Sequence, residues 1–169
     1  MQRLITFGLA SYSFFLIKTN ISRLPARIPT HFNAAGEVEG WGSPESLWVL
    51  LVVQVLTCGL LLAVPFLARH FPGAVHVGFR SLSDFTPAQR ERMLPILTDM
   101  MMYMSVLVGF LFSILLREMI RASSSPHPRL SLWWPLGLFL AGTAWTLIYY
   151  LRRIFAVANE TGSGNLGTI

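Results

Sequence analysis

Uncharged apolar stretches, separated by short polar segments rich in proline and glycine, run the length of the chain. Leu47 to Ala68 and Leu130 to Leu151 contain no charged residue, and Met100 to Leu116 is a third run that extends back through Ile96. Crossing the hydrocarbon of a bilayer takes about 20 mostly apolar residues. A fourth run, Leu4 to Ile17, is shorter, but Thr19 to Leu24 can prolong it while Lys18 and Arg23 extend towards the headgroups. No small-x-small cleavage pattern follows it, so it is expected to be a retained helix and not the core of a signal peptide. The pattern predicts an all-α integral membrane fold with four transmembrane helices, at about 4–24, 46–68, 96–117 and 130–152. A non-helical cap loop over 25–43, a short interfacial helix before the third span and a flexible tail over 159–169 complete the expected organisation, with 1–158 as one membrane domain.

Punctuation residues sharpen these limits. Ser43-Pro44-Glu45 reads as a helix start with Ser43 as N-cap, and Thr86-Pro87-Ala88-Gln89 reads as a capping box. Pro95 removes a helical hydrogen bond, so a bend is expected between a surface segment carrying Arg90 and Arg92 and the third span. Trp133 and Trp134 at one end of the fourth span, with Tyr149, Tyr150, Arg152 and Arg153 at the other, make an aromatic belt with a basic stop. Gly137 and Ala141 provide a small-xxx-small face suited to close helix contact.

Composition agrees with this class: 53% of residues are hydrophobic and only 12% are charged, about half the charged share of a soluble domain. The net charge of +5 is spread over every loop with no basic block interleaved with aromatics, so nucleic acid is not an expected partner. The lipid bilayer is. Cys58, the one cysteine, falls inside the second span and is expected to pack there, so neither an intrachain disulfide nor a CxxC metal site can form. Basic residues divide almost evenly between the two sides: Arg3, Arg69, Arg80, Arg90, Arg92, Arg152 and Arg153 against Lys18, Arg23, Arg27, Arg117, Arg121 and Arg129. The small excess places both termini in the cytoplasm by the positive-inside rule.

The densest information lies between Leu24 and Ser43. Pro25 ends the first helix, Pro29 stiffens the chain, Asn33 and Gly36 suit a turn with a positive backbone dihedral, and Gly40 and Gly42 allow close approach around Trp41. Ile28, Phe32 and Trp41 are expected to pack on the helix ends while His31 and Asn33 tie the loop to itself.

The run Leu-Pro-x-x-Ile-Pro-x-His-Phe-Asn-x-x-Gly, followed by Gly-Trp-Gly-Ser and a long apolar helix, closely resembles the bacterial family called domain of unknown function 1648. Residues Pro25, Pro29, His31, Phe32, Asn33, Gly36, Gly40, Trp41, Gly42 and Ser43 sit on its motif. The same domain occurs at the front of Sdp-type immunity proteins, which protect a cell from its own secreted toxic peptide. The resemblance implies a small protein of the bacterial cytoplasmic membrane with an extracytoplasmic motif loop, whose partner is another membrane protein or a hydrophobic peptide.

Isolated polar residues supply the other candidates. His31 could ligate a metal or move protons, but a metal site needs about three more ligands, and no HExxH, CxxC or carboxylate-histidine spacing is present, so neither metal nor other cofactor is expected. His70, His76 and His127 lie in other loops. Gln54 is expected to bridge helices, and Asp99 to sit near the headgroups at the start of the third span. Met100, Met101, Met102 and Met104 read as adaptable packing. These features favour a non-catalytic binding or sensing protein; the alternatives are an accessory subunit of a larger membrane complex and a membrane enzyme using His31.

Overall fold

The computed structural model describes residues 1–159; the tail expected over 159–169 lies, beyond Asn159, outside the described residues. Four long helices dominate: α1 (Gln2–Asn20), α2 (Ser46–His70), α3 (Pro87–Ser123) and α4 (Trp133–Asn159). By length and composition all four can cross a membrane, α1 together with the 3₁₀ turn Ile21–Arg23 that prolongs it. Large apolar side chains such as Leu4, Val52, Leu60, Leu138 and Trp145 stand exposed on the outer faces of these helices. The chain is a multi-pass membrane protein.

The cap differs from the expected irregular loop. Ile28–Phe32 (β1) and Val38–Gly42 (β2) pair antiparallel, with Ile28 opposite Gly42 and Pro29 opposite Trp41. The register shifts on either side of His31. A second two-stranded ribbon, β3 (His76–Val77) with β4 (Arg80–Ser81), lies in the loop between α2 and α3. The fold is therefore helical with two small ribbons, not wholly α.

Helix starts follow local chemistry to different degrees. At α3 the expected capping box forms: Gln89 N donates to Thr86 Oγ1 at 3.3 Å and Thr86 N donates to Gln89 Oε1 at 3.0 Å. At α2 it does not. The residue preceding the helix is Glu45, and Ser43 contributes its carbonyl, which accepts from Ser46 N at 3.1 Å and Ser46 Oγ at 2.7 Å. No separate interfacial helix precedes the third span either, since Pro87 to Ser123 is one continuous helix of 37 residues with Pro95 inside it. The proline removes one ladder bond without ending the helix.

α3 is the centre of the bundle, packing on α1, α2 and α4, whereas α1 and α2 touch each other much less. Buried apolar side chains gather at the two ends. Ile17, Ile28, Leu47, Leu51, Leu116 and Leu130 pack beneath the hairpin. Leu82, Phe85, Met93, Leu97, Tyr150 and Ile154 pack at the other end, where Gln89 Nε2 also donates to the carbonyls of Val157 and Ala158 at 3.2 and 3.4 Å and ties α3 to the end of α4. Gly142 meets Leu107 across the α3–α4 contact. Gly137 and Ala141 do not serve this purpose: Ala141 is exposed and nothing approaches a Cβ placed at Gly137.

Candidate functional site

The hairpin explains most of the cap motif as architecture. Asn33 N donates to Glu37 O at 2.9 Å, Glu37 N donates to Asn33 Oδ1 at 2.9 Å and Gly36 N donates to Asn33 O at 2.9 Å, so Asn33 closes the loop between β1 and β2. Gly36 completes it with φ of 77°, and a Cβ there would run into the Leu130 carbonyl oxygen. That approach has a purpose: Leu130 N donates to Gly36 O at 2.9 Å, and Arg129 Nη2 lies 3.3 Å from Glu37 Oε1. The hairpin tip is thereby fastened to the segment leading into α4.

Two further glycines make room for side chains lying over them. A Cβ at Gly40 would sit 3.0 Å from His31 Nδ1, and one at Gly42 would sit 2.8 Å from Thr30 Cγ2. Ile28 and Pro29 are buried, with Ile28 fully out of solvent, and Phe32 is half-buried against the same core. Pro25 is exposed just after the 3₁₀ turn.

His31 and Trp41 remain. His31 is exposed, its Nδ1 3.1 Å from Thr30 Oγ1. Trp41 is 52% exposed and does not pack on the helix ends as expected. Beside the hairpin tip a small apolar groove of about 180 Å³ is lined by Asn33, Ala34, Gly36, Leu130, Leu132, Trp133 and Leu136. At the base of β2, a hydrogen bond from Ser43 holds the exposed Glu45 carboxyl below the usual carboxylate range.

A polar seam in the middle of the bundle joins the cap end to the other end. Gln54, fully buried on α2, donates Nε2 to the Gly109 carbonyl at 3.2 Å and to Ser113 Oγ at 3.4 Å, while its Oε1 is buried without a partner. Ser13 on α1 pairs with Ser113 at 2.9 Å, Thr6 pairs with Ser105 at 3.0 Å, and Cys58 Sγ donates to Ser105 O at 3.4 Å. The pairs Thr6–Ser105 and Ser13–Ser113 run in the same sense, so α1 and α3 are parallel and α2 is antiparallel to both. Gln54 thus bridges helices as expected. The hydroxyls of Thr6, Ser13, Ser105 and Ser113 are additions that sequence reasoning missed, although seven- and eight-residue spacings of small polar residues in apolar helices were the available signal.

Asp99 is separate from both regions. It is exposed and shares a groove with Glu91, Arg92, Pro95 and Arg153 at the edge of the bundle. Among the described residues, no three of His, Cys, Asp and Glu converge as a ligand set.

The segment from the second turn of α1, through the hairpin, to the third turn of α2 has a counterpart among known families. Residues 8–55 match the family model of DUF1648, a domain of unknown function. Neither a curated protein nor a solved structure matches the chain. The DUF1648 segment contains the whole cap motif together with Ser13 and Gln54, and stops before the α3 residues that those two side chains meet.

Proposed function

We propose that this chain is a non-catalytic membrane protein that binds or senses a partner through the hairpin of its DUF1648 segment, with immunity or signalling as the nearest class of role. The carrying observation is that Pro29, Asn33, Gly36, Gly40 and Gly42 all have architectural duties, whereas His31 and Trp41 stand exposed on a backbone fixed from both sides. An exposed Trp on a rigid element is well suited to recognition, because a large ring adds contact area with little loss of conformational freedom. A hydrophobic peptide or a neighbouring membrane protein suits such a surface. In this reading the protein lies in a bacterial cytoplasmic membrane with both termini inside and the cap outside. The first turns of α3 stand beyond the hydrocarbon, since 37 helical residues extend about 55 Å against a core of about 30 Å.

A photo-crosslinking residue placed at 41 in intact cells tests the reading. A discrete adduct that disappears with His31→Ala, and does not form from lipid-facing Val52, is the expected result. No adduct from position 41, with the protein folded, refutes it.

The accessory-subunit alternative draws on the open face of α4, where Gly137 and Ala141 leave room for a second helix to approach. Purification in a mild detergent as a stoichiometric complex would favour it. The enzyme alternative rests on His31, whose side-chain hydrogen-bond partner among the described residues is Thr30.

A further inference from the structure

The end of the bundle away from the hairpin carries a feature that the cap reading does not use. Because α1 and α2 lean on α3 more than on each other, a cleft of about 270 Å³ opens among the three helices. Arg3 of α1 and Arg69 and His70 of α2 line it, over a floor that includes Leu62, Phe66 and Leu94. An adjoining cleft of about 210 Å³ shares Arg69 and Leu94 and adds Arg90 and Glu91 of α3.

Arg3 and Arg69 make no ion pair or hydrogen bond among the described residues. The buried Nε of Arg90 has no partner. His70 is held in place, its ring against Phe66 at 4.1 Å between centroids and its Nδ1 2.9 Å from Phe66 O, which leaves Nε2 turned away from the helix. Guanidinium groups gathered in one partly enclosed place repel one another unless an anion joins them, and their fork geometry matches phosphate oxygens. Glu91 lines the adjoining cleft together with Arg69 and Arg90, forms no ion pair with Arg69, and does not line the cleft that holds Arg3.

We infer that this cleft holds a phosphate group, supplied by the headgroup of an anionic phospholipid. The lipid source follows from the floor: Phe66 is largely exposed, and with Leu62 it continues the cleft into the outer apolar face of α2, where acyl chains lie. A phosphate over arginines with its chains over Leu62 and Phe66 satisfies both halves of the site. Basic pockets between membrane helices take anionic headgroups by this chemistry.

The test is native mass spectrometry of the full chain released from vesicles of equal phosphatidylglycerol and phosphatidylcholine. Phosphatidylglycerol adducts are expected to predominate. Arg3→Gln and Arg69→Gln are each expected to lower that preference about fivefold, while Arg69→Lys retains most of it and the cap-end control Arg23→Gln/Arg27→Gln leaves it unchanged. Circular dichroism confirms that each variant is folded, and Arg3→Gln alone decides the matter if Arg69→Gln does not fold. Equal adducts of the two lipids, or a preference untouched by Arg3→Gln, overturns the site. Displacement of phosphatidylglycerol by inorganic phosphate, with phosphate alone giving the same thermal stabilisation, overturns the lipid source.

Discussion

Gln54 on α2 reaches across the bundle to the backbone of Gly109 on α3, its Nε2 3.2 Å from the carbonyl oxygen and 3.4 Å from Ser113 Oγ. Interhelical hydrogen bonds of this kind contribute modestly, because the separated helices also find partners in lipid. Gln54→Leu is expected to cost about 1 kcal/mol, softened by removal of the unpartnered Oε1. A double-mutant cycle with Ser113→Ala, read by detergent melting, should give a coupling energy above zero; strict additivity contradicts the contact.

Gly36 combines a left-handed backbone with a close approach to Leu130. Gly36→Ala is expected to destabilise by about 1–3 kcal/mol from the backbone alone, and to release the hairpin tip from Arg129 and Leu130. Gly8→Ala, inside α1 with nothing within 4 Å of the added methyl, is the control and should not lower the melting temperature.

The hairpin's two faces should separate in mutagenesis. Ile28→Ala removes a fully buried side chain and is expected to cost about 2–5 kcal/mol. Trp41→Ala, on the exposed face, should stay within about 1 kcal/mol of the parent. A large melting shift for Trp41→Ala would return that ring to the core.

Glu45 provides a pH-dependent readout. Its folded carboxyl titrates below its ordinary value through the Ser43 hydrogen bond, so this contribution to stability is present above the unfolded pKa and is lost as pH falls through the folded one. Ser43→Ala should move the Glu45 titration upwards towards the ordinary range, followed by carboxyl carbon chemical shifts in micelles; an unmoved titration contradicts the hydrogen bond.

Four spans with the hairpin at one end imply a definite labelling pattern. In a Cys58→Ala background, single cysteines at Ala35 and Ser124 should react with an impermeant maleimide from one side of the membrane, and a cysteine at Phe79, fully exposed in the other ribbon, from the opposite side. Ala35 and Ser124 labelling from different sides would break the arrangement.

The helices were legible because length and the absence of charge act over 20 residues at a time, as Leu47 to Ala68 shows. The capping box at Thr86 and Gln89 was equally readable, being a purely local exchange of hydrogen bonds. The α2 start was not: Pro44 and Glu45 fit the pattern, yet the serine's carbonyl is used instead of its hydroxyl. Trp41 was misplaced for a different reason, since hydrophobicity does not say which face of a strand is covered, and the ring stands 52% exposed. Residues that meet across great sequence distances, such as Glu37 with Arg129, carry no local mark of their partner, and the spacing of Ser13 and Ser113 in their helices marks a polar face without saying which residue it meets.

The central position of α3 also bears on how the protein is made. Ser13 and Gln54 find their polar partners on α3, which is synthesised after both. Until that helix arrives, the first half of the chain holds its hydroxyl and amide groups towards lipid or towards each other, with few α1–α2 contacts to hold it. Assembly in the bilayer is therefore a late event set by one helix, and a ribosome stalled before Pro87 would leave two inserted segments and a hairpin without the surface that orders them.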